Sequence, residues 1–500
     1  MSSFILQGGL VLRAWDQPAR HESILIENGR IARFLACDAQ LSGVPVVDAT
    51  SMLIHPGLIN AHAHSHTTLT KGTADRWSLE LLLASGAGIY GGRSARDRYL
   101  STLLGAAELA LKGCTAIYDM CLEMPLPTVA GMRSTASAYQ DVGTRAVIAP
   151  MLADISFWEA IPGLADELAP DLRQRLTAGL PASGDLLGAV RAILDQWDSP
   201  LQRPALGPTI PLHGSDALWT GCRDLAQEYG LAMQVHLQES KVQALAGAQH
   251  YGRSLTAHLD DLGVLGPHFT AAHGVWLDGD DMRRLGIAGA SVSHNPGSNM
   301  ILGSGLADVR AMMEHGINVA LGTDGANCAD NLNMYESMRT ALRVSHVRTP
   351  RMEQWLSAPE VFRMATENGA QALGLEGVGR LAEGYHADLV MLDLGHVNWL
   401  PTNDVISQLV QSEDGTAVHS VMVAGKWIVR DGELTNVALR ELRGEIQSAL
   451  ADLRNRNGDQ LALFERLKPV LSSFCPAMMR KPYTVERFGA AYPAAGDPPG

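Results

Sequence analysis

Residues 52–66 read MLIHPGLINAHAHSH, an apolar run of strand length that ends in alternating histidines. On a strand, residues i and i+2 face the same way, so His62 and His64 point to one side and Ala63 to the other. Working outward, seven more short apolar runs end in polar residues: CTAIYDM (114–120), RAVIAPML (145–152), PALGPTI (204–210), AMQVHLQES (232–240), FTAAHGV (269–275), ASVSHNP (290–296) and NVALGTDG (318–325). Spacers such as ARDRYLSTLLGAAELALKG (95–113) and ALWTGCRDLAQEYG (217–230) have helical spacing and close on glycine. Strand and helix alternating eight times predict a parallel α/β fold, a (β/α)8 TIM barrel. A doubly wound sheet alternates too, but it normally places a Gly-rich phosphate loop after its first strand. No G-x-G-x-x-G or Walker A motif occurs.

The two flanks read differently. FILQGGLVL (4–12), SILIENGRIARFL (23–35), DLVMLDL (388–394) and VHSVMVAGKWIVRDGEL (418–434) are β-rich and punctuated by turn signals. Each flank is too short to bury a core alone, which predicts one small β-sandwich closed by both. The expected division is a first sandwich piece at 1–54, the barrel at 55–380, a second sandwich piece at 381–435 and a helical extension at 436–500. Residues 438–471 read as one helix, and YPAAGDPPG (492–500) as a loose end. In the first run, a single strand is expected over 52–62, with His55 at its start.

Composition removes whole classes of function. Hydrophobic residues make up 46% and charged residues 18%, enough for a large core and too few charges for a disordered tail protein. A net charge of −14 counts against a nucleic-acid or anionic-membrane surface. Six scattered cysteines without C-x-x-C read as reduced thiols. The N-terminus has no basic n-region, and no apolar run reaches 18 residues, so a cytoplasmic protein without a membrane partner is expected.

Functional side chains of such a barrel come from the C-terminal ends of its strands. Those ends carry His62 and His64 on the first strand, His236 with Glu239 just beyond on the fifth, His273 on the sixth, His294 on the seventh and Asp324 on the eighth. Any one of them alone is more often a hydrogen-bonded rim or turn residue. Five strand ends carrying such residues converge on one mouth, which points to a site.

The runs PGLINAHAH, HLQES, HNPGSNMILGSG and ALGTDGANCADNLNMYESMR resemble the amidohydrolase superfamily. They are similar to its branch of cytosine, guanine and S-adenosylhomocysteine deaminases and triazine chlorohydrolases, over most of residues 1–435. The resemblance implies that His62, His64, His236 and Asp324 hold one divalent metal, Zn²⁺ foremost, with Fe²⁺ also fitting three imidazoles and a carboxylate. It implies catalytic roles for Glu239, His273 and Asp324. Metal-activated hydroxide would attack the ring, Asp324 would take its proton, Glu239 would shuttle a proton to the ring and leaving group, and His273 would orient the hydroxide or polarise the carbon. The two-metal members carry a lysine on the fourth strand; RPALGPTIPLH (203–213) has none, which favours one ion.

The implied reaction is deamination of a heterocyclic small molecule such as a purine, pyrimidine, pterin or triazine. The alternatives are loss of chloride or alkylamine from a triazine, hydrolysis of a cyclic amide or imine, or, from another class, a non-catalytic binding barrel. The segment 67–100 resembles the loop that covers the substrate. Within it Trp77 is a candidate for stacking on the ring and Arg93 or Arg96 for meeting an anionic group; His294 is a further substrate-facing candidate. Equally, Trp77 packs and the arginines lie on a solvated helix start. The segment departs from the deaminase pattern, in which an acidic-hydrophobic run leads into Trp-Leu, and so points away from an adenosine-type substrate. Members of the family usually associate, so a homodimer or higher homo-oligomer is expected.

Overall fold

The computed structural model describes residues 3–488 except 178 and 330, so the end at 492–500 lies outside the described residues. Each of the eight runs carries a strand: Leu58–His64, Cys114–Cys121, Arg145–Leu152, Gln202–Pro204 resumed at Gly207–Pro208, Met233–Leu237, Phe269–His273, Ser291–His294, and Asn318–Leu321 resumed at Asp324–Gly325. Neighbours pair in parallel throughout. A parallel bridge from Leu206 to Met233 joins the fourth strand to the fifth. The pairing of Asp324 with Ala63 returns the eighth to the first. Helices lie between the strands, so the chain is of mixed α/β class.

Strands flanked on both faces are apolar along their whole length rather than in alternation. Cys114–Cys121 is buried at every position. The spacer at 95–113 becomes the helix Ala95–Leu111, opened by a capping box between Ser94 and Asp97. The spacer at 217–230 becomes Asp216–Tyr229 and ends on Gly230 in the left-handed region, φ 65°.

The run at 52–62 is two strands. Met52–Pro56 pairs antiparallel with Leu389–Asp393 in a different sheet, and only Leu58–His64 joins the parallel set. Gly57 is the joint: a Cβ there would stand 2.2 Å from Thr115 Oγ1. An apolar run does not say which sheet takes which half.

The flanking pieces share one nine-stranded sheet, whereas the sequence pattern suggested two facing layers. Its ends nevertheless meet. Phe4 and Trp427, on strands far apart in the sheet order, lie 6.3 Å apart between ring centroids. The backbone N–H of Ala387 donates to the Gly29 carbonyl at 2.9 Å, and that of Gly425 donates to the Ala387 carbonyl at 3.1 Å. The sheet therefore curls around an apolar core of residues such as Leu6, Ile24, Ile31, Leu389 and Met422. A buried ion pair ties it to the parallel strands, Arg145 Nε donating to Asp388 Oδ2 at 2.7 Å.

The expected C-terminal helix is two helices, Leu439–Arg456 and Gly458–Met479. The break falls at Asn457-Gly458, two poor helix formers. There Asn457 Nδ2 donates to the Gly91 carbonyl at 2.9 Å, while the backbone N–H of Asn457 still donates to Leu453 and that of Leu461 to Asn457. Among the described residues no helix is long and apolar enough to cross a membrane.

Candidate active site

The first strand delivers His62 and His64 on one side, as period two requires. Their ring centroids lie 4.7 Å apart, and His62 is also 5.0 Å from His236 and 5.3 Å from His273. Donor atoms gather in three overlapping trios, each within 4.8 Å: His62, His64 and Asp324; His62, His236 and His273; Glu239, His273 and Asp324.

Each imidazole is oriented by a bond from its other nitrogen. His64 Nδ1 donates to the Met120 carbonyl at 2.7 Å and His236 Nδ1 to the Thr209 carbonyl at 2.8 Å. His62 Nδ1 donates to Gln234 Oε1 at 2.7 Å, and Gln234 is held by its own Nε2 on the Ala61 carbonyl. His273 Nδ1 donates to Asn299 Oδ1 at 2.8 Å. Every Nε2 is then a bare lone pair directed at the same space.

Burial decides the charge state. It pulls His64 down to about 4, helped by neighbouring His62, and pulls His273 to about 4. His236 is pushed well below its ordinary value by burial and by the surrounding imidazoles. These rings are neutral at pH 7. Yet His64 Nε2 and His236 Nε2 stand 3.1 Å apart, and His62 Nε2 and His273 Nε2 have no partner among the described residues. Two lone pairs at that distance repel unless something electrophilic lies between them. The donor set, neutral imidazoles beside an ionised carboxylate, therefore fits a divalent cation.

The carboxylates divide by environment. Burial works to raise Asp324, whereas His62, His64 and His273, when they carry a proton, draw it well below the usual carboxylate range, as a cation among them would. Ser298 Oγ donates to its Oδ2 at 2.6 Å. Burial, with Asp324 and Glu80 nearby, pushes Glu239 well above its ordinary value, which favours its acid form. One proton-accepting and one proton-bearing carboxyl, both beside His273, make an acid–base pair.

The backbone is strained where these residues leave their strands. Gln238, His273 and Asp324 have φ of 46°, 72° and 67°, in the left-handed region that costs a non-glycine residue on the order of 1–3 kcal/mol. Gln238 is pinned there by its side chain, which reaches the Trp276 carbonyl and Asp281 at 2.9 Å each.

A model of the Amidohydrolase family matches residues 53–428. The chain belongs to the amidohydrolase family. A 5'-deoxyadenosine deaminase of Methanosarcina mazei is 32% identical over 461 residues, 91% of this chain and 99% of that one. The crystal structure of a zinc-bound adenosine deaminase from Xanthomonas campestris superimposes with a TM-score of 0.80 at 25% identity, covering 91% of this chain and 99% of that one. The zinc complex of an atrazine chlorohydrolase from Arthrobacter aurescens gives 0.79 at 23% identity over 89% and 100% of the two chains, a likeness of fold.

In this amidohydrolase a cavity opens onto His64, His236, Glu239, His273 and Asp324. Trp77 does not line it. Its ring packs edge-on against Phe464 at 5.0 Å, under Lys468, because the C-terminal extension covers this segment. Arg96 is likewise turned outward, onto Glu445 at 2.6 Å. His294 is buried outside that lining and neither ring nitrogen has a partner among the described residues. Within HNPGSN it is Ser298 and Asn299 that reach Asp324 and His273; the short helix Pro296–Ile301 turns them inward.

Sequence reasoning passed over Gln234, which shares a strand face with His236 and was detectable from i, i+2 spacing. It passed over Tyr90 and Asn327 and gave His66, two past His64, no role; all three line the cavity, His66 from the helical turn Ser65–Thr70 and Tyr90 from the short helix Gly86–Tyr90.

Proposed function

We propose that this amidohydrolase is a metal-dependent aminohydrolase that exchanges the amino group of a nitrogen heteroaromatic for an oxygen from water, releasing ammonia. The observation that carries this reading is the convergence of orphaned imidazole lone pairs on Asp324, with Glu239 kept in its acid form alongside. The family and the deaminase relatives support hydrolysis of C–N bonds other than peptide bonds. They also favour an adenine-type purine within the wider set of purines, pyrimidines, pterins and triazines, against the direction in which residues 67–100 pointed.

His62, His64, His236 and Asp324 would hold one divalent ion, with Zn²⁺ favoured by the zinc-bound neighbours. When bound, such an ion lowers the pKa of water toward about 7. The residues do the rest. Asp324, ionised, accepts a proton from the attacking water. His273 Nε2, an acceptor because Nδ1 donates to Asn299, orients the water. Glu239 gives its proton to a ring nitrogen, which makes the amine-bearing carbon electrophilic, then takes the remaining hydroxyl proton of the adduct to the departing nitrogen, and the proton held on Asp324 restores Glu239. Water and the aryl amine become the oxo heterocycle and ammonia.

The same reading extends to the architecture: a (β/α)8 barrel over 55–380 that takes its first strand from Leu58, a small β domain from 1–54 and 381–435 whose one curled sheet also takes up Met52–Pro56, and a helical extension over 436–500, in a cytoplasmic homo-oligomer. The test is product analysis on a panel of purines, pyrimidines, pterins and triazines, with metal content measured on the same sample. Ammonia release with about one ion per chain supports the reading. Chloride or alkylamine without ammonia favours the triazine alternative, and bound metal without turnover favours a binding barrel.

A further inference from the structure

Residues 483–488 lie against the loops that leave the sixth and seventh strands, outside the cavity. Their centre is Arg487, buried at 6% exposure, and each of its guanidinium nitrogens is engaged. Nε donates to the Val275 carbonyl at 3.0 Å, Nη2 to the Leu277 carbonyl at 2.7 Å, and Nη1 reaches Asp308 Oδ2 at 3.4 Å. Its own carbonyl accepts from the Leu306 N–H at 2.7 Å. Gly305 allows that approach, since a Cβ there would stand 2.9 Å from the same oxygen. A rigid fork bonded to two carbonyls two residues apart fixes the turn between them.

Between those carbonyls sits Trp276, wholly buried, with the rings of Tyr483 and Phe488 at 6.1 and 5.2 Å. Trp276 connects to both proton-handling residues of the proposed reaction. Its N–H donates to the Gln238 carbonyl at 2.9 Å and its carbonyl accepts from Gln238 Nε2 at 2.9 Å; Gln238 immediately precedes Glu239. Its indole Nε1 donates to the Ser304 carbonyl at 2.7 Å. The Ser304 N–H donates to the Asn299 carbonyl at 2.8 Å, and Asn299 Oδ1 accepts from His273 Nδ1. His273 itself stands three residues before Trp276. Two residues in left-handed backbone, Gln238 and His273, are thus held by one turn, and strain of that kind persists only where the surroundings over-determine it. None of these bonds involves His62, His64, His236 or Asp324.

We propose that Arg487 is a positioning residue: through the turn at 274–277 it sets the places of His273 and Glu239 for proton transfer, while the metal ligands are held without it. This rests on the aminohydrolase reading and deepens it.

The experiment compares R487M and R487K with the wild-type chain and with D388N. The last strands the buried Arg145 cation at the start of the third strand, the end opposite the site, and so lowers stability without touching the turn. Each full chain is loaded with zinc, assayed for metal content and studied below its own unfolding midpoint. Ammonia release from the panel compound that wild type turns over fastest gives kcat and KM. Hydrogen exchange read by mass spectrometry gives the protection of the Gly274 and Trp276 amides, which donate to Leu237 and Gln238. Misplacing a reacting group by about 1 Å costs about 100-fold, so R487M should lower kcat by about 10- to 100-fold. KM and metal per chain should stay as in wild type, because only the transition state loses an interaction. Exchange at the two amides should quicken by about tenfold or more as the turn opens locally. R487K, able to bond one carbonyl, should regain part of both, and D388N should match wild type in both. Wild-type kcat in R487M, a raised KM without a lowered kcat, loss of metal together with activity, or an equal kcat loss in D388N overturns the proposal. If R487M does not fold, R487K decides by the same readouts, and wild-type kcat there refutes it. If the wild-type chain releases ammonia from no compound, the aminohydrolase reading fails by itself. Exchange then decides the clasp: unchanged protection of Gly274 and Trp276 in R487M refutes it.

Discussion

Replacing Glu239 with Gln separates proton transfer from every other property of the site. Glu239 is 2% exposed, and burial together with Asp324 and Glu80 shifts it toward the protonated form. A protonated carboxyl and a carboxamide have the same shape and the same zero charge. The substitution therefore leaves the field at Asp324, and so the affinity for the ion, nearly as it was. What disappears is the proton delivered to the ring nitrogen and then to the leaving amine. A positioned general acid contributes about 10²–10⁴ in rate. At about 1.4 kcal/mol per factor of ten, kcat should fall by an amount equivalent to about 3–5 kcal/mol of barrier. Ammonia release, followed beside metal analysis of the same preparation, should show that loss with metal per chain unchanged. Activity within tenfold of wild type would remove the shuttle role. Loss of the ion in parallel with activity would mean that Glu239 is an ionised ligand, and the division between the two carboxyls would be wrong.

Asp324→Asn and His236→Ala should each lower bound metal as well as turnover, since both remove donors from the trios, and metal analysis after desalting checks this. Chelation should abolish turnover, and restoring zinc should recover it; at 100 times its dissociation constant the ion adds about 2.7 kcal/mol to folding stability, read as a rise in Tm. Asp388→Asn should cost about 3–5 kcal/mol by stranding the buried Arg145 cation, seen as a lowered denaturation midpoint with the m-value unchanged. Burial pulls His55 and His213 down to about 4. The unfolded chain then binds their protons first, so the stability they contribute is present above about pH 6.5 and is lost as pH falls toward 4. Tm between pH 7 and 4 should drop, and His213→Gln should flatten part of that slope.

The spacing of His62 and His64 is legible because a strand has one periodicity and both its ends are marked by the chain itself. The eight apolar runs and the helices closing on Gly230 are legible for the same reason: local sterics and capping act over a few residues. Asp324 and Glu239 could be picked out as members of a set, since each follows directly on a recognisable strand. Their opposite protonation states could not, because those depend on burial and on imidazoles from other strands.

What tertiary structure alone decided involves partners distant in sequence. For Trp77 stacking on a substrate and packing stood level in the sequence, and Phe464, almost four hundred positions on, gives it a packing partner. His294 looked like a site residue by motif, yet the turn of Pro296–Ile301 carries Ser298 and Asn299 inward instead. At the joint of the two C-terminal helices the Asn457 side chain is held by the carbonyl of Gly91, far away in sequence. The chain's own pattern determined the strands, the helices and which residue types could bind a cation. Whether those side chains share a cavity, which lone pairs are orphaned and which charges stand unpaired are properties of non-local packing, since the energy of burying a polar group is set by neighbours that no local window of sequence contains.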